Sequence, residues 1–252
     1  MNFLQRLIRI TLCLFGVAIK CTIVFAQAGP PLVTDDPGTP GDGHYEVNFA
    51  LLVDKTSAGS SYQAPLVDFN YGVGDRIQLK LETPFEVDGS PHRDGVGNGL
   101  AGVKWRFLDD GENSWQISTY PQIEFNYPGT NSSRRGLADP GTGLLLPVEI
   151  QRPIGEFEVG VEVGRWLRDE LPDSWIGGVV VGRNLSERFE ILAEVHDEVD
   201  AHSSANECLF NLGGRFTLTD RFRLLFSVGR DIHNSLDDKS NFLMYAGLQL
   251  TI

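Results

Sequence analysis

Cysteine is scarce in this chain of 252 residues, which contains three. Cys13 and Cys21 lie within the first 28 residues, so Cys208 alone remains if that stretch is removed. A framework of intramolecular disulfides needs cysteines in pairs. The sequence therefore excludes a disulfide-stapled fold for the rest of the chain.

Basic residues are also few, because 21 Lys and Arg stand against 34 Asp and Glu, for a formal net charge of −13. A nucleic-acid-binding protein needs a basic face to meet phosphates, so this balance argues against that class. The mean hydropathy of −0.13 argues against a bundle of membrane helices. It does not exclude a membrane β-barrel, whose strands alternate apolar with polar residues and average near neutral.

The first 28 residues have the features of a secretory signal peptide. Arg6 and Arg9 precede a mainly apolar run at residues 10–26, and Ala26-Gln27-Ala28 offers a small-x-small cleavage site. An uncleaved membrane anchor is the alternative, and Lys20 in so short a run argues against it. The sequence predicts a cleaved signal peptide at 1–28, a periplasmic N-terminal segment at 29–43 and a barrel at 44–252.

Apolar and polar residues alternate along almost all of the chain after residue 44. Tyr45, Val47 and Phe49, for example, are interleaved with Glu46 and Asn48. A period of two is typical of a strand with one apolar face. Twelve such stretches occur, with no stretch of helical period between them. The alternation predicts an all-β protein of about 12 strands.

The connections favour a transmembrane antiparallel up-and-down β-barrel over a soluble β-sandwich. Short turns are predicted at 72–75, 109–114, 152–155, 184–188 and 219–220. Longer polar loops are predicted at 55–61, 86–96, 128–142, 168–173, 197–206 and 232–239. Tight turns at one end and longer loops at the other are the arrangement of an outer-membrane barrel. A sandwich buries one face of each strand equally well, but nothing in it enforces alternating loop lengths.

Aromatic residues form two rows on the apolar face, as the interfacial girdles of a membrane barrel do. The row beside the short turns consists of Tyr71, Phe107, Trp115, Phe157, Phe189 and Phe222. The row beside the long loops consists of Phe85, Phe125, Tyr127, Trp175 and Phe242. Trp166 falls on the inward register, which predicts a bulge near Gly164. The chain ends on apolar Leu248, Leu250 and Ile252, which fits recognition by the barrel assembly machinery.

Several stretches resemble a known family. They are residues 29–46, which begin Gly-Pro-Pro-Leu-Val-Thr-Asp-Asp, together with residues 65–73, 99–108 and 119–122. They are similar to the bacterial meta-pathway phenol-degradation or "transporter" proteins over most of the chain after residue 28. The resemblance implies an outer-membrane barrel associated with the degradation of aromatic compounds, and it implies no catalytic residues.

Ionisable residues on the inward face predict a polar lumen, since such groups are costly on a lipid face. Basic residues are concentrated on the third and fourth strands and on the tenth and eleventh, and acidic residues on the fifth to the ninth. The predicted lumen residues are Arg76, Lys80, Lys104, Arg106, Glu124, Glu149, Glu156, Glu158, Glu162, Glu190, Glu194, Arg215 and Arg223. The acidic side predicts that the lumen concentrates cations.

The sequence therefore predicts an outer-membrane channel for small solutes, which the resemblance extends to aromatic compounds. A closed structural or surface-binding barrel is the alternative, and a membrane-embedded hydrolase is a weaker one. Catalysis needs a nucleophile beside a base, and no serine is placed next to His196, the one histidine on an inward register. No enzyme activity, cofactor or nucleic-acid partner is predicted. The predicted partners are membrane lipids, the barrel assembly machinery and a small-molecule solute.

Three motifs support sharper hypotheses. The stretch from Gly97 to Gly102 matches the G-x-G-x-x-G dinucleotide fingerprint, but that motif needs a following helix and this stretch continues as a strand. A metal site is the second hypothesis, with His196, Asp197, Asp200 and His202 as ligands. A calcium site is the third, with Asp35, Asp36 and Asp42. The simpler interpretations are an acidic surface loop for the second set and, for the third, a periplasmic N-terminal segment, either free or tucked into the lumen, so no metal site is predicted.

Overall fold

The alternating stretches form twelve antiparallel strands in the computed structural model, which describes residues 29–89, 92–111, 114–235 and 239–252. The predicted signal peptide lies outside these residues. The strands are β1 (Tyr45–Lys55), β2 (Ser60–Val73), β3 (Ile77–Gly89), β4 (His92–Val96 and Gly99–Asp109), β5 (Gln116–Thr119 and Gln122–Phe125), β6 (Gly143–Ile154), β7 (Phe157–Arg168), β8 (Ser174–Ser186), β9 (Phe189–Asp200), β10 (Asn206–Thr219), β11 (Phe222–Asn234) and β12 (Phe242–Thr251).

Each strand pairs with its neighbours in sequence, and β1 also pairs with β12, as at Phe49 with Leu248. The sheet is therefore a closed up-and-down barrel, which leaves no free edge. The predicted strand number and fold class are confirmed. None of the described residues forms a helix long and apolar enough to cross a membrane.

The two ends of the barrel differ. The turn end consists of the connections at residues 74–76, 110–115, 155–156, 187–188 and 220–221, and the loop end of the other connections. The predicted loops at 86–96 and 197–206 are wrong in extent, because β3 runs to Gly89, β4 starts at His92 and β9 continues to Asp200. Polar strand ends keep pairing beyond the apolar belt, since the ladder satisfies their backbone groups.

Prolines and an interruption shape one side of the wall. The pairing of β2 with β1 and with β3 shifts register at Ala64-Pro65, where proline lacks an N–H for the ladder. Strand β5 is interrupted at Tyr120-Pro121, and its two segments both pair with β4 and β6. By contrast, β7 and β8 pair without a shift through Gly164. The predicted bulge there is wrong, and Trp166 lines a cavity inside the barrel.

The outer face carries an apolar belt bounded by aromatic side chains. Exposed outward side chains include Leu81, Val103, Leu146, Val163 and Leu224. Aromatic side chains exposed at the turn end are Phe107, Trp115, Phe157 and Phe222, and at the loop end Trp175 and Phe242. An apolar surface of this extent between two aromatic rows is the lipid-facing surface of a membrane barrel.

Candidate solute pathway in the barrel lumen

Residues 29–38, called the inner segment below, lie within the barrel. The chain crosses the turn end just before β1, where Thr39 Oγ1 donates to Asp75 O at 2.9 Å and Gly43 N donates to Gly72 O at 3.1 Å. Inside, the segment folds back on itself, because Gly29 N donates to Thr34 O at 2.9 Å and Leu32 N donates to Gly29 O at 3.0 Å. The sequence predicts a periplasmic segment at 29–43, either free or tucked into the lumen, and in the structure residues 29–38 lie inside the lumen.

Carboxylates of β7 and β9 bind the backbone of the inner segment. Glu194 accepts hydrogen bonds from Val33 N, at 3.2 Å, and from Thr34 N. Glu162 accepts one from Asp35 N at 3.1 Å. Hydrogen bonds with a charged partner contribute about 1.5–3 kcal/mol each, more than neutral ones. These two glutamates therefore hold the segment against the acidic side of the wall.

A basic residue of β4, Lys104, binds the same segment from another part of the wall. Lys104 Nζ lies 2.9 Å from Asp35 Oδ1, donates to Asp36 O, and lies 3.5 Å from Glu149 Oε2. Its ammonium group also lies 4.5 Å from the centroid of the Tyr120 ring. Because Lys104 is 2% exposed, its charge is compensated by these partners rather than by water.

Two further strands complete the attachment. Arg215 on β10 donates to Pro30 O at 2.9 Å and lies 3.4 Å from Glu190 Oε2. Ser227 Oγ on β11 donates to Pro31 O at 2.7 Å. The carbonyl groups of the segment's first residues are therefore satisfied although they lie inside the barrel.

Charge and burial affect the two aspartates of the segment differently. Burial acts to raise the pKa of Asp35, but the positive charges of Lys104 and Lys80 outweigh it and hold that pKa below its usual value. Burial raises the pKa of Asp36, which also meets the negative charge of Asp35. Asp35 is therefore the ionised partner of Lys104, and the carbonyl oxygen of Asp36 is the second acceptor.

Three cavities follow one another along the lumen. The loop cavity, of about 470 Å³, is lined by Gln63, Glu82, Glu86, Leu100, Glu124 and Asp139, among others. The central cavity, of about 320 Å³, is bounded by the inner segment and by Leu66, Lys80, Leu145, Trp166, Ile176 and Tyr245 among its lining residues. The turn cavity, of about 50 Å³, lies on the other side of the segment beside Glu46, Asp68, Lys80 and Arg223.

The structure divides the predicted lumen residues into three groups. Those within the barrel are Lys80, Lys104, Glu149, Glu158, Glu162, Glu190, Glu194 and Arg215. At the ends of the lumen, Glu124 lines the loop cavity, Arg223 lines the turn cavity, and Arg106 donates to Asp75 O at the turn end. Arg76 and Glu156 lie in the turns just before β3 and β7, where the chain reverses, and both side chains are exposed to water. Their prediction as lumen residues is therefore wrong.

The predicted lumen residues do not include the polar residues that the inner segment brings, two of which were considered only as calcium ligands, or those that surround Lys80. They are Thr34, Asp35, Asp36, Asp68 and Tyr120, all inside the barrel. Asp68 and Tyr120 fall on the inward register of β2 and β5, so the alternation could have identified them. The segment has no periodicity, and only its contacts reveal its position.

The three sharper hypotheses find no support in the structure. No three His, Cys, Asp or Glu side chains among the described residues are grouped as metal ligands would be. Gly99 and Gly102 lie in β4, where an added Cβ would meet the side chains of Phe125 and Gln122 at 2.6 and 2.8 Å. These glycines make room for β5, and no helix follows them.

A hydroxyl group beside the inward histidine is the remaining catalytic candidate. Thr34 Oγ1 lies 3.3 Å from His196 Nδ1. Thr34 is fully buried, and its side chain fills the space above Gly178, so no substrate carbonyl can approach the hydroxyl in this arrangement. The contact holds the segment in place.

A closed twelve-stranded barrel with an apolar outer belt and a polar interior defines the class of outer-membrane β-barrels. An outer membrane channel from Pseudomonas putida F1 has this fold, with a TM-score of 0.66 and 12% identity over 88% of this chain and 100% of that chain. The NanC porin matches with a TM-score of 0.58 and 9% identity over 80% of this chain and 98% of its own. The KdgM porin matches with a TM-score of 0.55 and 7% identity over 81% of this chain and 98% of its own.

The fold and the apolar belt place the protein in the bacterial outer membrane. No protein-family model matches the chain, and no curated protein sequence does. The resemblance to the phenol-degradation family therefore stays a prediction, while the shared fold with outer-membrane channels and porins is established.

Proposed function

We propose that the protein is an outer-membrane channel for small solutes that have an apolar part, aromatic compounds among them. The central cavity carries this proposal. A water-filled porin lumen is polar throughout, whereas this cavity has many apolar walls, including Leu52, Leu66, Leu100, Leu145 and Trp166. These apolar side chains share the wall with ionisable ones such as Lys80 and Glu162, and cavities of about 300–1,000 Å³ that combine apolar walls with placed polar groups are typical of small-molecule sites.

Polar groups in the same cavity support a solute with a hydrogen-bonding group. Gln122 and Asn211 line it, and each has a buried side-chain oxygen without a hydrogen-bond partner among the described residues. A few polar side chains in the wall of an enclosed cavity favour a solute that carries a matching hydrogen-bonding group. A hydroxylated aromatic compound meets both requirements.

Swelling of proteoliposomes in 4-hydroxybenzenesulfonate and in gluconate, two permanently ionised solutes that do not cross the bilayer unaided, tests this proposal. We expect faster swelling in the aromatic solute with the wild-type protein, and Leu145→Asn should lower that preference by making the cavity wall polar. Leu146→Val is the matched control, because Leu146 points outward from the next position of β6. A lack of uptake of either solute would favour the closed barrel, which the position of the inner segment supports as the second candidate.

A further inference from the structure

The inner segment does not fill the lumen evenly. The hydrogen bonds of residues 30–36 to the wall end on strands β4, β7, β9, β10 and β11. On the other side of the segment, the central and the turn cavities both border β1, β2, β3 and β12. These four strands contribute, among others, Leu52, Leu66, Lys80 and Tyr245 to the central cavity, which also borders β5–β11, and Glu46, Asp68, Lys80 and Gln249 to the turn cavity.

The three cavities also share lining residues. Gln63, Glu82 and Leu100 line both the loop and the central cavity. Gly29, Pro30, Asp35 and Lys80 line both the central and the turn cavity. The cavities therefore follow one another along the β2–β3 side of the lumen, and the junction between the last two lies at Lys80.

Lys80 is held at this junction by two acidic side chains. Its Nζ lies 2.9 Å from Glu82 Oε2 and 3.8 Å from Asp68 Oδ1. The other oxygen of Asp68 accepts from Asn48 Nδ2 at 3.0 Å and from Asn70 Nδ2 at 3.1 Å, which fixes the carboxylate. Oδ1 has no hydrogen-bond partner among the described residues although Asp68 is 3% exposed. Asp68 lines the turn cavity, so its carboxylate lies beside both the cavity and the Lys80 cation.

On the basis of the proposed channel function, we propose that solutes pass between the inner segment and strands β1–β3, and that Lys80, with Asp68 and Glu82, determines the charge preference of this passage. Glu162 of β7 and Glu194 of β9 have a different role, because the backbone of the segment occupies both carboxylates. One cation between two carboxylates leaves a small net charge, so the wild-type channel discriminates weakly between small ions. Removal of the Lys80 charge exposes both carboxylates to the passage.

Reversal potentials of single channels in a potassium chloride gradient test the proposal. We expect Lys80→Gln to raise the permeability of K⁺ relative to Cl⁻ several-fold, and Glu82→Gln to lower it. Arg183→Gln is the matched control for the loss of a positive charge, because Arg183 lies near the turn end of β8 beside the outward ring of Phe157. Its reversal potential should equal that of the wild type.

The outcomes separate the two proposals. An absence of conductance in the wild-type protein contradicts the channel function itself. Conductance with unchanged selectivity in both Lys80→Gln and Glu82→Gln overturns only the assignment of the passage, and so does a larger change in Glu158→Gln than in Lys80→Gln. If Lys80→Gln fails to fold, Glu82→Gln decides alone.

Modification of a cysteine gives a second measurement. In a Cys208→Ser background, a positively charged methanethiosulfonate reagent should reduce the conductance of Lys80→Cys, because the adduct would narrow the junction. A full conductance after complete modification, verified by mass spectrometry, overturns the proposed passage.

Discussion

Gly178 on β8 shows how one missing side chain admits the inner segment to the lumen. A Cβ atom at this position would lie 2.0 Å from Thr34 Oγ1, far inside the ~3.5–4.0 Å of an ordinary contact between heavy atoms. The side chain of Thr34 fills that space and reaches His196 and the wall around it. The glycine is therefore a requirement of the segment's position.

Gly178→Ala should displace Thr34 and loosen the inner segment, so we expect a larger single-channel conductance than in the wild type. Gly177→Ala is the matched control, because no atom beyond the chain neighbours lies within 4 Å of its added Cβ. Recordings in planar bilayers measure both variants. Equal conductance in Gly178→Ala and the wild type would contradict the role assigned to the glycine.

At the same scale, the buried glutamates show why the presence of a charged residue in the sequence does not reveal the role of its side chain. Glu149 is fully buried, accepts from Ser118 Oγ and lies 3.5 Å from Lys104 Nζ. Glu162 and Glu194 bind backbone amides of the segment. Alternation predicts that these side chains point inward, but only their partners distinguish an anchor from a side chain that meets solutes.

At the scale of elements, β5 is the weakest part of the wall. Its two paired segments have four residues each, and Pro121 between them has no N–H to donate. Strand β10, in contrast, has 14 residues and pairs with β9 and β11 along most of its length. Fewer ladder hydrogen bonds allow local opening at a lower free energy.

Amide hydrogen exchange in detergent, followed by mass spectrometry, should show faster exchange in peptides that cover residues 116–125 than in peptides that cover 206–219. Pro121→Ala should slow exchange in β5 if the added N–H joins the ladder. Equal protection of the two regions in the wild type would show that the interruption has no effect on local stability.

At the scale of the whole molecule, closure of β1 on β12 makes the barrel a single cooperative unit. Ten residue pairs join these two strands, from Glu46 with Thr251 to Lys55 with Phe242. Opening any seam leaves backbone groups unpaired in hydrocarbon, at a cost of several kcal/mol per group. The barrel should therefore stay closed in a mild detergent solution.

Unboiled protein should consequently migrate differently from boiled protein on a denaturing gel, since a closed barrel binds less detergent than an unfolded chain. A chain that ends after β11 is the control and should lose this difference, because one edge of β1 and one edge of β11 would then have no partner. Identical migration of boiled and unboiled wild-type protein would contradict a closed barrel.

Much of the barrel follows from local pattern. A period of two assigns each side chain to the inner or the outer face, so the alternation predicted twelve strands, the lipid-facing belt and the inward position of Lys104 and Glu149. The alternation also predicts that Trp166 points inward, and it does. The strands pair without a shift through Gly164, so no bulge is needed to explain this position. Strand ends such as Glu86 and Asp197 were harder to predict, because polar residues pair beyond the belt as readily as they form loops.

The sequence by itself determined the alternating faces, the number of strands and the aromatic rows, because each depends on neighbours two residues apart. The tertiary structure alone decided where the inner segment lies and which charged side chains of the wall bind it. Thr34 meets His196 across 162 positions and Arg215 binds Pro30 across 185. Such contacts form only when the closed barrel brings distant strands around a segment that has no pattern of its own.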